Sequence, residues 1–387
     1  MKLNKIQAVK KLAGQRALLR LDLNIPLGAN GRVDSVEAWR INRVLVTINY
    51  LIQKKTKIII VAHLGRPEGR VVKSLSLAPV ADYLGTLLKK KIVLWSHDFE
   101  ADYKKSLALA PGQVAMLENI RWHPGEQKNS DVLARRLARL ADIYVNDAFA
   151  NLHRGDTSML AISKFLPSYA GLLLQEELDH LSPILKTRSS LAIILGGAKI
   201  ASKIKLIKKF AQRPQRASVL LGGALANTML RARGYMVGKS LVDKVAIARK
   251  LKSRNIFLPV DAIVSKNLSA KTSRLVKIDD IKNDDYIADL GPLTIRRYLS
   301  VLRSKKIIVW NGPLGYFENK RFMKASQSLA GVLSKLKATT IIGGGETVTM
   351  INQLKLQDKF SFVSTGGGAM LSFLQGDKLP ALEVLIK

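Results

Sequence analysis

The sequence predicts an α/β protein of two Rossmann-like lobes, each a parallel sheet between two layers of helices (α/β/α), joined by a helix hinge. Short apolar runs alternate with longer amphipathic segments along the chain, and this alternation is typical of parallel sheets covered on both faces. The length of 387 residues is enough for two domains, each with its own hydrophobic core. The residues that follow the apolar runs also differ between the two halves, which indicates two lobes with different binding chemistry.

Five apolar runs in the first half are predicted strands. Amphipathic segments lie between them, and we predict helices from Arg40 to Gln53 and from Leu75 to Leu88. The five strands are ALLRLDL from Ala17, KIIIVA from Lys57, KIVLW from Lys91, QVAML from Gln113 and DIYVND from Asp142.

Polar side chains follow four of these strands, at the edge where a parallel sheet binds its ligands. Three of the five histidines of the chain lie in these loops, together with several arginines. Each histidine alone is more often a structural hydrogen-bonding group than a catalyst. Arginines and histidines from several loops at one sheet edge, however, predict a preformed cationic pocket for a compact polyanion. The loops contain Asp22 and Asn24, His63 and Arg66, Arg121 and His123, and Asp147, His153 and Arg154.

Glycines follow the predicted strands of the second half. In LAIILGGAKIASKIKLI, Leu191 to Ile207, an apolar run stops at Gly196-Gly197 and a helical pattern with lysines begins at once. Glycines give a ligand access to the backbone NH groups at a helix start, where the helix dipole favours an anion. Lys199 and Lys203 are four residues apart and are predicted to reach successive phosphates from one helix face.

A plain strand–helix connection with solvated lysines explains one such stretch equally well. The same form recurs at Ser218, Thr339 and Phe360, which favours the anion site. The predicted strands NIFLPV, YIADL and KIIVW also lie in this half. The two halves thus predict two anion pockets, one of side chains and one of main-chain NH groups. A protein that holds a nucleotide opposite a second polyanion is placed to move a phosphoryl group.

A leucine-rich pattern predicts a helix from Ala170 to His180, followed by Ser182-Pro183. No flexible Gly/Ser linker is present, so this helix would be a stiff connector with hinges at its ends. We therefore predict a first lobe of residues 1–168 plus 376–387, a connecting helix of residues 169–185 and a second lobe of residues 186–375.

The formal net charge of +34 is spread along the whole chain, so it does not belong to a disordered basic tail. Such a surface concentrates acidic small molecules and adsorbs nucleic acid without sequence preference. The chain has no cysteine, which excludes disulfides and fits a reducing compartment. No apolar run approaches the length of a membrane span. We expect a cytoplasmic protein, monomeric and without membrane contact.

Other phosphate-binding and nucleotide-binding motifs are absent or incomplete. The tract GYMVGKS, Gly234 to Ser240, has one residue too few between its glycines for a Walker A loop. No G-x-G-x-x-G follows a predicted strand, so the sequence lacks the main motif that would indicate a dinucleotide-dependent dehydrogenase. Protein-kinase signatures are absent as well.

Twelve short motifs along the chain carry a family resemblance: RLDLNIP, WRIN, AHLGRP, LENIRWHP, NDAFANLHR, LGGAKIASKI, GGALANT, LPVDAIV, DLGPLT, VWNGPLGYFE, IIGGGETV and VSTGGGA. In this order they resemble the motifs of the phosphoglycerate kinase family, over essentially the whole chain. The resemblance implies reversible phosphoryl transfer between 1,3-bisphosphoglycerate and ADP, giving 3-phosphoglycerate and ATP, with Mg²⁺ bound to the nucleotide.

The resemblance also implies functions for individual residues. Arg40, Lys199, Gly345 and Gly368 would stabilise the phosphoryl group in flight, and Glu346 would serve the metal ion. The triose substrate would be held by Asp22, Leu23, Asn24, Arg40, His63, Leu64, Gly65, Arg66, Arg121 and Arg154. The nucleotide would be held by Gly197, Lys199, Lys203, Gly222, Asn311, Pro313, Glu318, Gly343, Gly344, Gly345, Glu346 and Thr347.

The chain departs from the family pattern at a few positions. Glu346 stands where the family usually has Asp, and Ala150 replaces a usual glycine. Gly155, Asp156 and Thr157 stand where Ala-His-Ala is usual. We expect the carboxylate of Asp156 to weaken the binding of substrate phosphate by Arg154. The alternative function is a catalytically weakened kinase homologue that binds polyanions or RNA through its basic surface.

Overall fold

The computed structural model describes residues 2–28, 30–34, 38–198, 201–251, 253–269 and 271–386. These residues divide into two units. The first comprises Met1–Ser182 and Asp377–Lys387, and the second comprises Pro183–Gly376.

A parallel sheet forms the centre of the first unit. Its strands are β1 Arg16–Arg20, β2 Lys57–Val61, β3 Val93–Trp95, β4 Val114–Leu117, β5 Ile143–Asn146 and β6 Ser168–Ala170. The helices around it are α1 Ala38–Gln53, α2 Ala78–Leu88, α3 Phe99–Ala108 and α4 Asp131–Ala138. Within the described residues the strand order is β3-β4-β2-β1-β5-β6, and every pair is parallel.

Successive residues of these strands pack into different hydrophobic cores, because side chains alternate between the two faces of a sheet. Ile60 belongs to a core that includes Ile41 of α1, whereas its neighbour Ile59 belongs to a core that includes Leu133 of α4. Both faces of the sheet are therefore covered by helices. The predicted three-layer α/β arrangement is confirmed for this unit.

The helix α5, Leu172–Lys186, follows β6. The pattern-based end near His180, before Ser182-Pro183, was wrong because Pro183 lies inside the helix, whose last residue is one position beyond the connecting helix predicted for residues 169–185. A proline costs most in a helix interior, where it removes a hydrogen bond to the preceding turn. Pro183 is three residues from the last residue of α5, so its effect is confined to the end of the helix.

A second parallel sheet forms the centre of the second unit. The strands of this unit are β7 Leu191–Leu195, β8 Ala217–Leu221, β9 Ile256–Phe257, β10 Asp261–Ser265, β11 Arg274–Lys277, β12 Tyr286–Leu290, β13 Ile307–Asn311, β14 Thr339–Gly343 and β15 Phe362–Val363. Its helices are α6 Ile204–Ala211, α7 Gly223–Ala232, α8 Val245–Arg249, α9 Pro292–Leu302, α10 Lys324–Leu333, α11 Gly345–Gln353 and α12 Gly367–Gln375. Among the described residues the parallel order is β15-β14-β13-β7-β8-β9.

The run YIADL is a strand, as predicted, but it lies outside the parallel sheet. It forms β12, which pairs antiparallel with β10 in a small separate sheet of order β11-β10-β12. Parallel neighbours need a long crossover connection, whereas antiparallel neighbours can be joined by a short one. The strands β10, β11 and β12 follow one another closely in the chain and pair antiparallel. An apolar run alone does not distinguish the two cases.

The helix after Gly196-Gly197 also starts later than predicted. The residues from 201 to 203 form turns, and α6 begins at Ile204. The buried face of α6 contains Leu206, Ile207 and Phe210, so the helix begins where its side chains reach the core. Lys203 is consequently the N-cap residue and not part of a first helical turn.

The C-terminal segment belongs to the first unit. The short helix α13, Pro380–Glu383, donates a hydrogen bond from the Ala381 N–H to the Leu152 carbonyl oxygen (3.2 Å). Leu3 and Ile386 form an antiparallel bridge. Among the residues that the structure describes, no helix is long and apolar enough to cross a membrane.

Candidate active site

The loop after β2 is tied to the residues that follow β4 and β1. The Asn119 side-chain amide donates from Nδ2 to the carbonyl oxygens of Leu64 (2.7 Å) and Leu75 (2.9 Å). Its Oδ1 atom accepts from the Leu64 N–H (3.3 Å). The Gly65 N–H donates to Asn24 Oδ1 (2.8 Å). The predicted substrate residues Asn24, Leu64 and Gly65 therefore lie together, and Asn119 is a supporting residue that the sequence did not indicate.

His63 is buried at this edge beside Arg20. The Arg20 Nη2 and His63 Nδ1 atoms are 3.0 Å apart, and a guanidinium only donates, so His63 Nδ1 accepts. Burial, together with the charges of Arg20, Arg121 and Arg154, lowers the pKa of His63 well below its ordinary value. The neutral ring thus carries its proton on Nε2. That atom is buried and has no hydrogen-bond partner among the described residues, so it is a donor available to a ligand.

Arg121 supplies further donors to the same edge. Its Nη1 atom donates to the Gly65 carbonyl oxygen (2.9 Å) and its Nη2 atom donates to Asp156 Oδ2 (3.3 Å). The Nε atoms of Arg121 and Arg154 are buried and have no hydrogen-bond partner in the part of the chain that the structure describes. Burial and the nearby Arg154 lower the pKa of Arg121, and Asp156 raises it. The cluster is a concentration of positive charge with unused donors, as an anion pocket requires.

Asp156 forms an ion pair with Arg121, and both of these side chains are buried. The predicted effect of its carboxylate on Arg154 stays a prediction. Asp156 therefore competes with a bound anion for Arg121.

A buried chain of hydrogen bonds runs from Glu126 through Ser158 and Arg20 to His63. The Arg20 Nε–H donates to Ser158 Oγ (2.9 Å), and the Ser158 hydroxyl donates to Glu126 Oε1 (2.5 Å). The Ser158 N–H donates to Glu126 Oε2 (3.0 Å). Burial raises the pKa of Glu126 to about 7, against the opposing effect of Arg20. Glu126 and Ser158 thus orient Arg20, which in turn sets the tautomer of His63.

Of the remaining predicted residues of the first unit, three lie in the same loops and Arg40 lies in α1. Asp22 Oδ1 accepts from the Asn24 N–H (3.3 Å), and Leu23 is buried. Arg66 is exposed, and Arg40 lies in the first turn of α1 with its guanidinium 5.7 Å from the ring of Trp39.

Three helices that follow parallel strands of the second unit begin with a glycine at the N-cap position, which has no side chain to cap the helix. These glycines are Gly222 before α7, Gly344 before α11 and Gly366 before α12. Each helix follows a parallel strand, namely β8, β14 or β15. The first NH groups of a helix have no partner inside it. In α7 the N–H groups of Gly223 and Leu225 donate to the carbonyl oxygens of Leu314 (2.8 Å) and Gly197 (2.9 Å). The starts of α11 and α12 are therefore the ones suited to bind phosphate oxygens.

Close backbone contacts explain why glycine is needed next to β7 and β8. A Cβ atom at Gly196 would overlap the Pro313 carbonyl oxygen. The Gly197 N–H donates to that same oxygen (2.9 Å), and Gly197 has a positive φ of +79°. Gly223 has a φ of +59°, and a Cβ there would lie 2.9 Å from the Gly197 nitrogen. The loops after β7, β8 and β13 thus pack backbone against backbone.

A cavity of about 270 Å³ opens beside these loops. The predicted nucleotide residues Gly197, Pro313, Glu318 and Glu346 line it. Its other walls are largely apolar and include Leu241, Tyr286, Leu290, Tyr316 and Phe317. The antiparallel strand β12 supplies part of this wall, and the sequence did not indicate that contribution because it did not distinguish β12 from a parallel strand.

Lys203 points back to the glycine loop. Its Nζ atom donates to the Gly196 carbonyl oxygen (2.6 Å) and is nearly buried. Burial lowers the pKa of Lys203, and the carboxylate of Glu346 opposes this effect. The predicted partner Lys199 lies outside the described residues.

Glu346 is the acidic residue in the first turn of α11. Burial and the nearby Glu318 raise its pKa, whereas Lys203 lowers it. In the described ranges no group of three or more histidine, aspartate or glutamate side chains is arranged to hold a metal ion. Mg²⁺ typically takes one or two carboxylates and completes its coordination with phosphates and water. A single carboxylate beside phosphate-binding helix starts fits that mode of binding.

The other predicted nucleotide residues contribute mainly through backbone packing. Asn311 Nδ2 donates to the Gly367 carbonyl oxygen (3.3 Å). Thr347 is buried, and its hydroxyl accepts from the Gly312 N–H (2.9 Å), so a phosphate contact by Thr347 stays a prediction. Gly343 ends β14, Gly345 opens α11, and Gly368 is the second residue of α12.

Comparison with known proteins gives a consistent result. The family model described as phosphoglycerate kinase matches residues 6–377. A relative named phosphoglycerate kinase from Pelotomaculum thermopropionicum is 40% identical over 384 residues, covering 96% of each chain. A relative of the same name from Pseudothermotoga lettingae is 38% identical over 386 residues, again covering 96% of each chain.

Solved structures agree with the sequence matches. The structure of phosphoglycerate kinase from Coxiella burnetii is similar with a TM-score of 0.85 at 36% identity, over 99% of this chain and 98% of that chain. The structure of phosphoglycerate kinase from Pyrococcus horikoshii has a TM-score of 0.87 at 29% identity, with the same coverage.

The raised pKa of Glu126 predicts a pH dependence of stability. Its pKa is about 7 in the folded protein, against an ordinary value of 4.5. The folded state therefore retains a proton that the unfolded chain releases. This stabilising contribution is complete below pH 4.5 and is lost as the pH rises through 7. Glu126→Gln stays neutral, so it should reduce the fall in free energy of unfolding between pH 5 and 8 by up to about 3 kcal/mol.

Urea unfolding at the two pH values measures this difference. Glu100→Gln is the control, because Glu100 is an exposed carboxylate paired with Arg139. If Glu126→Gln shows the same pH dependence as the parent protein, Glu126 is not protonated in the folded state.

Proposed function

The chain belongs to the phosphoglycerate kinase family, and on that basis we propose how its residues bind the substrates and stabilise the transfer. The protein is a phosphotransferase that moves a phosphoryl group reversibly between 1,3-bisphosphoglycerate and ADP, giving 3-phosphoglycerate and ATP. The observation that carries the assignment of residues is the presence of two anion pockets of different chemistry. One is built from cationic side chains and the other from main-chain NH groups.

We assign the triose substrate to the cationic pocket of the first unit. The Nε2–H of His63 and the Nε–H groups of Arg121 and Arg154 are buried donors without partners in the described ranges, and the phosphate and carboxylate of the substrate supply acceptors. Asp22 and Asn24 can accept or donate hydrogen bonds at the substrate hydroxyl. The proposed set is completed by Leu23, Leu64, Gly65 and Arg66.

We assign the nucleotide to the second unit. The apolar cavity receives the base, and the exposed carboxylate of Glu318 binds the ribose. The phosphates lie at the glycine-capped helix starts, within reach of Lys203. Magnesium, when bound, would neutralise phosphate charge, and Glu346 is the carboxylate that would hold it. The remaining residues of this set are Gly197, Lys199, Gly222, Asn311, Pro313, Gly343, Gly344, Gly345 and Thr347.

The reaction needs no protein nucleophile and no strong base. It needs alignment of the two oxygen atoms with the phosphorus atom and neutralisation of the charge on the equatorial oxygens. We propose that Arg40 and Lys199 supply this charge, together with the main-chain NH groups at Gly345 and Gly368. Each preorganised donor of this kind typically lowers the barrier by about 3 kcal/mol. No observation favours the alternative of a homologue that only binds polyanions.

A coupled assay for ATP formation tests the assignment. We expect Arg40→Ala and Lys199→Ala each to lower kcat by about 100-fold to 1,000-fold, because each removes charge from the transition state. Lys208→Ala, which removes an exposed lysine from α6, is the control and should leave kcat unchanged. Full turnover in either active-site variant would contradict the assigned role of that residue. Lack of turnover in the parent protein, with salt-sensitive RNA binding, would instead favour the polyanion-binding alternative.

The ion pair between Arg121 and Asp156 predicts a measurable effect on substrate affinity. Asp156→Asn keeps the hydrogen bond to Arg121 but removes the competing charge, so the pocket becomes more positive. We expect the KM for 3-phosphoglycerate to fall by about threefold to tenfold, with kcat and the KM for ATP unchanged.

The matched control is Asp131→Asn, since Asp131 is an exposed aspartate of the same unit that pairs with Lys164. It should leave every kinetic constant unchanged. An unchanged or higher KM for 3-phosphoglycerate in Asp156→Asn would show that Asp156 supports the geometry of Arg121 more than it competes with substrate.

A further inference from the structure

A second cavity in the second unit lies between α9 and α10, and the proposed function does not use it. Its volume is about 460 Å³, within the range of roughly 300 to 1,000 Å³ that is usual for small-molecule pockets. Apolar side chains from three elements line it: Ile263 of β10, Leu290 of β12, and Ile295 and Leu299 of α9. The apolar lining favours an organic ligand, because burial of apolar surface drives binding.

Three cationic side chains line the same cavity, namely Arg296, Arg321 and Lys324. All three are exposed, and none forms an ion pair with a carboxylate in the described part of the chain. Arg321 Nη1 donates to the carbonyl oxygen of Lys271 (2.6 Å), and the other side-chain donors of Arg321 have no hydrogen-bond partner among the described residues. Their charge is therefore available to an anionic group.

Asp289 is the acidic side chain of the cavity lining, and the charge of Lys324 lowers its pKa, so Asp289 offsets part of the positive charge here. It is buried, and its two oxygens accept from the N–H groups of Leu290 (2.9 Å) and Ala325 (2.9 Å). Its carboxylate thus caps the start of α10. Burial raises the pKa of Asp289 to about 7, so part of the population is uncharged near neutral pH.

We propose that this cavity binds a small organic anion with an apolar body. The hydrocarbon part lies on Ile263, Ile295 and Leu299, and the anionic group is bound by Arg296, Arg321 and Lys324. Charge complementarity selects this class of ligand. An uncharged hydrocarbon would leave the three cations without an anionic partner, and an inorganic anion would leave the apolar surface exposed to water.

The cavity is separate from the proposed nucleotide pocket, although the two share a wall. Asp289 and Leu290 at the end of β12 line both cavities. The nucleotide pocket continues to the glycine loops at Gly197 and Gly223, whereas the second cavity continues to α9 and α10. A test must therefore show that a ligand occupies the second cavity while the nucleotide pocket is full.

Decanoate is a suitable probe, because it joins one carboxylate to an apolar chain. We expect decanoate to shift the methyl NMR signals of Ile263 and Ile295 in the full chain, in the presence of saturating ADP. Decanol, which lacks the charge, and inorganic phosphate, which lacks the chain, should each bind at least about tenfold more weakly.

Charge-reversal variants identify the anion-binding side chains. The double variant Arg296→Glu, Arg321→Glu should weaken decanoate binding by about tenfold, without unfolding the protein because both residues are exposed. Arg297→Glu is the matched control, since Arg297 is the next residue of α9, stacks on Phe257 and does not line the cavity. It should bind decanoate as the parent protein does.

Two results would overturn the inference. One is displacement of decanoate by ADP, which would place the probe in the nucleotide pocket. The other is unchanged decanoate affinity in the double variant. ADP affinity is measured separately in each variant, so a failure of the nucleotide assignment would appear as absent ADP binding and would be distinct from either result.

Discussion

Parallel strand pairing is the constraint on which the proposed sites depend. In a parallel sheet the carboxyl ends of all strands meet at one edge, so residues far apart in sequence share a small region. The register places Arg20 beside Val61 and Asn146 in the first unit. In the second unit it places Asn311 beside Leu195 and Gly343. The loops that follow these residues contain nearly all of the proposed binding groups.

The two units concentrate positive potential in different ways. In the first unit the charge belongs to side chains, and Arg20, His63 and Arg121 are buried together at a cost in desolvation. Glu126 and Asp156 offset part of that cost without occupying every donor. The second unit uses backbone dipoles, which carry no net charge and need no counter-ion. The first arrangement suits a compact substrate with fixed acidic groups, and the second suits a flexible chain of phosphates.

Much of the fold could be predicted from the sequence, because apolar runs and glycines mark the strands and their ends directly. The runs LAIIL and TTII became β7 and β14 with little change at their boundaries. Periodicity did not reveal the antiparallel pairing of β12, the proline inside α5 or the late start of α6. These features depend on chain connection and on which side chains reach the core, and neither is a local property of sequence.

The binding residues of the site could be predicted because they lie at the ends of strands. The residues that hold them in position could not be predicted from the sequence. Ser158 and Arg20 are 138 positions apart, and the pairing of Asp156 with Arg121 depends on tertiary contacts between two loops. The apolar wall at Tyr286 was also missed, because it comes from a strand whose sheet could not be assigned. Lys199 lies outside the described residues, so its position rests on the family resemblance alone.

Nitrogen-edited NMR spectra recorded with each substrate separately test the central claim most directly. The account predicts that ADP alone shifts the backbone N–H signals of Gly345 and Gly368. It predicts that 3-phosphoglycerate alone shifts the side-chain Nε–H signals of Arg121 and Arg154. Glycine signals that do not respond to ADP, or arginine signals that respond to ADP and not to 3-phosphoglycerate, would contradict the division between a side-chain pocket and a main-chain pocket.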